Sequence, residues 1–133
     1  MQGRKLAVQL LDQTEQAGSY SNLLLDHALH QVQMEQKEKN LCTVLFYGVL
    51  TRRITLDAVL AKYSKKPVAK LDTTVRNILH VGLYQILYLQ HIPNRAAVDE
   101  SVKLTKQCRK ASAGGFVNAV LRAFLRDEKQ IPL

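Results

Sequence analysis

Hydrophobic residues recur at helical spacing along nearly the whole chain. In the first segment Ala7, Leu10, Leu11 and Thr14 fall at positions i, i+3, i+4 and i+7, which is one face of an α-helix. The alternating run at residues 54–56 is too short to predict a strand. The pattern therefore predicts an all-α domain, a bundle of about seven helices.

Breaks and capping residues divide this pattern into separate helices. Gly18 is predicted to end the first helix, and Ser21, Asp72 and Asn94 are predicted to cap the second, fifth and sixth. The fifth helix carries a continuous apolar stripe, so we predict that it is central. The predicted helices cover residues 4–16, a segment after residue 21, and residues 35–52, 55–63, 72–90, 94–110 and 112–126.

Most of the aromatic side chains lie in apolar helical segments. Tyr47, Tyr84, Tyr88 and Phe116 are therefore predicted to belong to the core. Tyr20 differs because it stands in a polar turn among serine and asparagine residues. It is the best candidate for stacking on a nucleobase.

The two cysteines lie far apart and lack CxxC spacing, which predicts neither a zinc site nor a disulfide framework. Cys42 falls in an apolar segment and is predicted to be a small core residue. Cys108 stands among Lys106, Arg109 and Lys110, and neighbouring cations predict a lowered thiol pKa and a more reactive sulfur.

Net charge gives the first indication of a partner. The chain has 133 residues, enough for one domain, and carries 19 Lys and Arg against 11 Asp and Glu, a net charge of +8. The excess is spread over both halves of the sequence, which favours a positive folded surface and a polyanionic partner; the alternative is that the charge serves only solubility. No apolar run reaches the roughly 20 residues that cross a bilayer, so we expect no membrane contact and a cytoplasmic location.

The sequence lacks the common catalytic motifs. It contains no Walker loop, no GxGxxG after a strand, no HExxH and no GxSxG. His27 and His30 lie one helical turn apart, but no carboxylate or thiol at matching spacing completes a metal site. We therefore predict no catalytic residues, no metal and no cofactor in this chain.

Basic side chains gather on predicted helix faces. One stripe follows the sixth helix and another the seventh, and Lys106, Lys110 and Arg122 are expected on outward faces beside the turn that joins these helices. In that turn Gly114 and Gly115 leave bare N–H groups that suit a phosphate; the alternative is that they permit close helix packing. The lysine cluster at residues 62–70 is a further candidate. The residues predicted to contact nucleic acid are Arg4, Lys5, Tyr20, Lys106, Lys110, Ser112, Gly114, Arg122 and Arg126.

Four sequence segments carry a family resemblance. VRNILHVGLYQILY at residues 75–88, IP at 92–93, AAVDESV at 96–102 and GFVNAVLR at 115–122 resemble the NusB-like domain, and the likeness runs from residue 4 to residue 126. Within that family, GSYSNL at residues 18–23, FYGVLTR at 46–52 and NAVLRA at 118–123 look most like the N-terminal domain of the bacterial 16S rRNA cytosine-5 methyltransferases known as RsmB, Sun or Fmu.

The resemblance implies an all-α domain that binds RNA, here 16S rRNA. In the methyltransferases such a domain is joined to a separate catalytic domain that uses S-adenosylmethionine and has no counterpart in this sequence. Residues 1–126 would be the RNA-binding domain, and residues 127–133 a tail or the start of an interdomain linker. The alternative within the family is a free-standing transcription antitermination factor that binds boxA-like RNA together with a ribosomal protein. A protein-interaction module is a third possibility.

Overall fold

A computed structural model describes residues 2–18 and 22–132. The described residues form seven α-helices and no strand, which confirms the predicted all-α class. Two 3₁₀ turns, Val68–Lys70 and Ala111–Ala113, precede the fifth and seventh helices. The α-helices are α1 (Gly3–Ala17), α2 (Asn22–Gln31), α3 (Gln36–Thr51), α4 (Arg53–Tyr63), α5 (Thr73–Tyr88), α6 (Asn94–Gln107) and α7 (Gly114–Arg126).

Two of the three predicted N-caps fall within the described residues, and one of them is correct. Asp72 caps α5, because its carboxylate accepts a hydrogen bond from the Val75 N–H at 3.1 Å. The prediction for Asn94 is wrong: Pro93 occupies the cap position, and its carbonyl accepts from the Ala97 N–H at 3.0 Å. Ser21 lies outside the described residues.

The end of α6 also differs from its prediction. The helix stops at Gln107 instead of continuing to Lys110. Arg109 adopts a positive φ of 60°, and the Lys110 N–H turns back to the Thr105 carbonyl at 2.6 Å. Lys110 is therefore not part of the α6 face, and the basic stripe predicted along that helix ends one turn earlier.

Helix α5 lies at the centre of the bundle, as its apolar stripe predicts, and is buried along most of its length. Helix α1 lies antiparallel to α5 and is joined to it by hydrogen bonds between polar side chains. Arg4 Nε donates to Gln85 Oε1 at 2.9 Å, and eight residues later along α1 Asp12 Oδ1 accepts from Asn77 Nδ2 at 2.7 Å. Because Asn77 and Gln85 are fully buried, these hydrogen bonds satisfy groups that would otherwise cost stability.

The crossing of α5, α6 and α7 depends on one glycine. A Cβ at Gly82 of α5 would lie 2.5 Å from Ser101 Oγ of α6 and 3.0 Å from Leu121 Cδ1 of α7. The three helices can approach this closely only because position 82 has no side chain. The approach holds the middle parts of α6 and α7 against α5.

Three aromatic residues predicted as core are less buried than expected. Tyr47, Tyr84 and Tyr88 are each partly accessible, and they lie along the outer sides of α3 and α5. The rings of Tyr84 and Tyr88 are 5.1 Å apart, and the Arg52 guanidinium sits 4.7 Å from the Tyr88 ring centre. Periodicity places these residues on the correct helices, but the neighbouring helices cover only part of each ring.

Candidate nucleic-acid interface

A groove of about 650 Å³ opens between the N-terminus of α5 and the N-terminus of α7. Its floor is apolar, and three lysines from two distant parts of the chain stand on its rim. Both the size and the mixture of apolar floor and cationic rim suit an anionic ligand with a flat ring. The lining residues are Lys65, Lys66, Leu71, Asp72, Val75, Lys110, Ser112, Ala113 and Phe116.

The loop after α4 supplies two of the three lysines. The Ser64 hydroxyl accepts from the Lys66 N–H at 3.1 Å and donates to the Lys66 carbonyl at 2.6 Å, which fixes a tight turn. Pro67 follows and prevents the helix from continuing through the turn. Lys65 and Lys66 are consequently exposed beside the N-terminus of α5.

The third lysine is held by the residue that caps α5. Lys110 Nζ lies 3.0 Å from Asp72 Oδ1, while Asp72 Oδ2 accepts from the Val75 N–H. Partial burial raises the pKa of Asp72, but the hydrogen bonds from Lys110 and Val75 outweigh that effect and leave the pKa below its usual value. The carboxylate therefore stays ionised at neutral pH and orients Lys110 at the groove.

Phe116 forms part of the groove floor, which corrects its prediction as a core residue. It is partly buried against the core and presents the rest of its surface to the groove. The residues of α7 that are fully enclosed are Val117, Leu121 and Phe124. Phe116 lies one position before Val117, which places it at the edge of the buried stripe of the helix.

The two glycines that begin α7 are not required for helix packing. A Cβ at Gly115 would meet nothing within 4 Å, and one at Gly114 would make ordinary contacts with Thr105 Oγ1 at 3.4 Å and Val102 Cγ1 at 3.8 Å. Gly114 has helical dihedral angles, so its backbone conformation does not need glycine either. The structure therefore does not support the interpretation that Gly114 and Gly115 are needed for close helix packing.

The Gly115→Ala variant tests this conclusion through stability. Because alanine has a higher helix propensity than glycine and the added methyl group meets no neighbour, we expect the free energy of unfolding to rise by up to about 1 kcal/mol. Urea denaturation followed by circular dichroism measures the change. A loss of stability would mean that the glycine serves packing after all.

The predicted contact residues do not all meet in the groove. Lys110 and Ser112 line it, and Gly114 follows them directly at the start of α7. Lys106 is exposed in the last turn of α6, while Arg122 and Arg126 are exposed further along α7. Arg122 Nε donates to Asn118 Oδ1 at 2.9 Å, one turn before it.

The N-terminal patch proves to be partly structural. Arg4 is half-buried and its Nε is engaged by Gln85, so the guanidinium contributes to the contact between α1 and α5. Lys5 is also partly buried. Tyr20, the predicted stacking residue, lies outside the described residues.

Sequence reasoning left Lys65, Lys66 and Phe116 out of the predicted contacts. The lysine cluster at residues 62–70 was a visible signal for the first two. Their approach to Lys110 depends on the tertiary fold, because 43 residues lie between positions 66 and 110. Phe116 gave no separate signal, since a helical apolar stripe does not distinguish its enclosed members from its edge.

The prediction for Cys108 is wrong in direction. Burial raises the pKa of the Cys108 thiol, the charge of Asp12 raises it further, and Lys5 offsets only part of this effect. Lys106, Arg109 and Lys110 are neighbours in the sequence, but the turn after α6 buries the sulfur partly against the core. Cys42 is fully buried as predicted, and burial raises its pKa to about 12.

A thiol-specific reagent should therefore react slowly with Cys108 at pH 7. The folded-state pKa is raised, so the thiolate is scarce at neutral pH and the rate should keep rising as the pH passes 9. Absorbance of the released thiolate from an aromatic disulfide reagent follows the reaction, and the Cys108→Ser variant gives the background. Reaction at pH 7 as fast as that of free cysteine would contradict the assignment.

His27 and His30 lie one turn apart on α2, as their spacing predicts. His27 and His30 are both exposed, and within residues 2–18 and 22–132 no three His, Cys, Asp or Glu side chains gather in a metal-binding cluster. In the same ranges no helix is long and apolar enough to cross a membrane.

Comparison with known proteins decides the family. The sequence profile described as "NusB family" matches residues 1–126, almost the whole chain. The chain belongs to the NusB family. The similarity of this NusB-family chain to a crystal structure described as "Crystal Structure of a Plectonemic RNA Supercoil" covers 96% of the chain and 94% of the matched chain, with a TM-score of 0.84 and 20% identity. That likeness confirms the NusB-like fold.

Curated relatives of this NusB-family chain are considerably longer than it is. A Bacillus subtilis protein named "Probable ribosomal RNA small subunit methyltransferase B" is 37% identical over 124 residues, which make up 93% of the chain and 28% of that protein. The Synechocystis protein of the same name is 34% identical over 127 residues, or 96% of the chain and 28% of that protein. The chain thus spans less than a third of the length of these relatives.

Proposed function

We propose that this chain is the RNA-binding domain of a small-subunit rRNA methyltransferase and that it positions a separate catalytic part on the rRNA. The observation that carries the proposal is the groove with three lysines around an apolar, aromatic floor. The names of the longer relatives supply the methyltransferase context. S-adenosylmethionine would then be bound outside residues 1–126, and the protein would act in the cytoplasm on 16S rRNA.

The chemistry of the groove matches the two parts of a nucleotide. Lys65, Lys66 and Lys110 offer ammonium groups to phosphate oxygens, and each contact releases condensed counterions from the RNA. Phe116 offers a ring face on which an unpaired base would stack, a contact worth about 1 to 3 kcal/mol per base. A single-stranded or looped RNA segment is therefore the form that this groove would take.

Basic residues outside the groove would extend the contact along the surface. Arg122 and Arg126 follow α7 away from the groove, and Lys106 stands on the neighbouring end of α6. Gly114 and Ser112 lie between these side chains and would leave the backbone of the turn open to a phosphate. On this proposal Lys110 and Ser112 bind within the groove, and Lys106, Arg122 and Arg126 give the RNA a path beyond it.

The proposed domain boundary falls at the end of α7. Asp127 follows the helix and binds both the Tyr63 hydroxyl and Lys62 Nζ, the latter at 3.0 Å, so the chain leaves the bundle at the C-terminus of α4. Lys65 and Lys66 begin only two residues after Tyr63. A catalytic part that follows residue 127 would therefore emerge beside the rim of the RNA groove.

Titration of the 133-residue chain with 16S rRNA fragments tests the proposal. We expect saturable binding that weakens steeply between 50 and 200 mM salt, because phosphate contacts dominate the affinity. Fluorescence anisotropy measures the affinity for a labelled hairpin fragment and for a labelled single-stranded fragment. Binding that is absent at low salt, or that does not change with salt, would contradict the proposal.

A further inference from the structure

A second groove runs along the outer face of α3, away from the three lysines. Its larger part has a volume of about 450 Å³ and lies between α3 and Tyr84 of α5. A smaller part of about 230 Å³ continues past the shared Thr43 toward Gln36 and His30. From Gln36 to Arg52 the two parts follow α3 for about 24 Å at the helical rise of 1.5 Å per residue. We call this feature the α3 groove.

The α3 groove differs from the RNA groove in its chemistry. Val44 lines the larger part and is 43% exposed. Arg52 is the one charged residue that lines the larger part, and its guanidinium is already stacked over Tyr88. The smaller part is more polar, because Lys39, Gln36 and Asn40 line it, so the nonpolar surface is confined to the larger part. There the exposed Val44 lies beside Tyr47 and Tyr84, which favours a nonpolar protein segment over a phosphate backbone.

From these features we infer that the α3 groove is the docking site for a nonpolar segment from the remainder of the same polypeptide. The inference rests on the proposed function, in which this chain is one part of a longer methyltransferase. The longer relatives contain more than twice as many residues outside the matched part as within it, since the chain covers 28% of their length. A large amount of protein surface is thus available in cis.

The exit point of the chain lies within reach of the groove. Asp127 fastens the end of α7 to Tyr63 at the C-terminus of α4, and the N-terminal end of α4 adjoins Arg52. Helix α4 has 11 residues, so the exit and the groove are about 16 Å apart along it, a distance that about five extended residues span. The linking segment can follow α4 without crossing Lys110 on the RNA groove.

A single reactive thiol in the groove wall tests the docking. Val44→Cys in a Cys108→Ser background gives a partly exposed probe, while Cys42 remains buried and unreactive. A thiol reagent is applied to the 133-residue chain and to the full-length polypeptide that contains it. If the segment is docked about 90% of the time, the probe should react about tenfold more slowly in the full-length protein. Gln16→Cys, exposed on α1, is the matched control and should change by less than about twofold.

A second variant shows whether the slowing comes from occupation of the groove. Thr51 lines the larger part at the last turn of α3, where a lysine is favourable to the helix but places a charge in the nonpolar site. Thr51→Lys should restore the reaction rate of the Val44→Cys probe in the full-length protein to that of the isolated chain. RNA titration of the same isolated chain reports separately on the lysine groove, so the two proposals fail independently.

Several outcomes would overturn the inference. Equal probe rates in the isolated chain and the full-length protein would mean that the groove stays open, and equal slowing of the Gln16→Cys control would indicate unspecific shielding. Slowing that grows with the concentration of the isolated chain would assign the groove to a second copy. Slowing caused by added RNA would assign it to nucleic acid. A reading frame that closes directly after residue 133 would remove the proposed occupant.

Discussion

Replacing Phe124 with alanine is expected to destabilise the domain by about 3 to 5 kcal/mol, a large part of the roughly 5 to 15 kcal/mol that holds a typical domain folded. The Phe124 side chain is fully enclosed, and its ring meets Tyr63 edge to face with centres 5.6 Å apart. The substitution leaves a cavity where α7 packs on α4 and α5. Urea denaturation followed by circular dichroism at 222 nm measures the loss.

Phe116→Ala is the matched control on the same helix. Phe116 is partly exposed in the lysine groove, so its truncation removes less buried surface and should leave a cooperatively folding domain. The same variant should weaken RNA binding through the loss of a stacking surface, by about 1 to 3 kcal/mol for one base. If Phe116→Ala destabilised the domain as strongly as Phe124→Ala, the assignment of Phe116 to the groove floor would be wrong.

Removal of the three rim lysines should have the largest effect on RNA affinity. Each phosphate contact on single-stranded RNA contributes about 0.7 to the slope of log affinity against log salt, so three contacts contribute about 2. Over the tenfold range from about 1 M to about 0.1 M salt, this slope corresponds to about 100-fold in affinity. The triple variant Lys65→Ala, Lys66→Ala, Lys110→Ala should keep the fold, because two of these side chains are exposed and Lys110 pairs only with the partly exposed Asp72. Fluorescence anisotropy measures the change in affinity, and thermal unfolding verifies the fold.

The helices could be predicted from the sequence because their signals are local. The spacing of apolar residues in α1, the left-handed Gly18 after it and the cap at Asp72 each act within a few residues, and the structure contains all three. The error at Asn94 has the same local origin. An asparagine before a helical segment suits a cap, but Pro93 supplies the first carbonyl of α6 and moves Asn94 one position into the helix.

The candidate site was less predictable because it depends on tertiary contacts. Helical spacing placed Lys110 on the same stripe as Lys106, whereas the positive φ of Arg109 ends the helical turn and directs Lys110 to Asp72. Cys108 shows the same difficulty, since its sequence neighbours are cationic, whereas in the fold its sulfur is partly buried against the core and the charge of Asp12 acts on it. The approach of the loop after α4 to the turn before α7 has no signature in either segment alone.

The salt dependence of RNA binding by the triple-lysine variant tests the central claim most directly. Its control is Lys37→Ala, Arg95→Ala, Lys103→Ala, which removes the same charge from exposed residues outside the groove. With a single-stranded 16S rRNA fragment, the account predicts that the slope of log affinity against log salt falls by about 2 in the groove variant and changes much less in the control. Equal slopes and affinities for the groove variant and the parent chain, or an equal loss in both triple variants, would contradict the claim that this groove binds RNA.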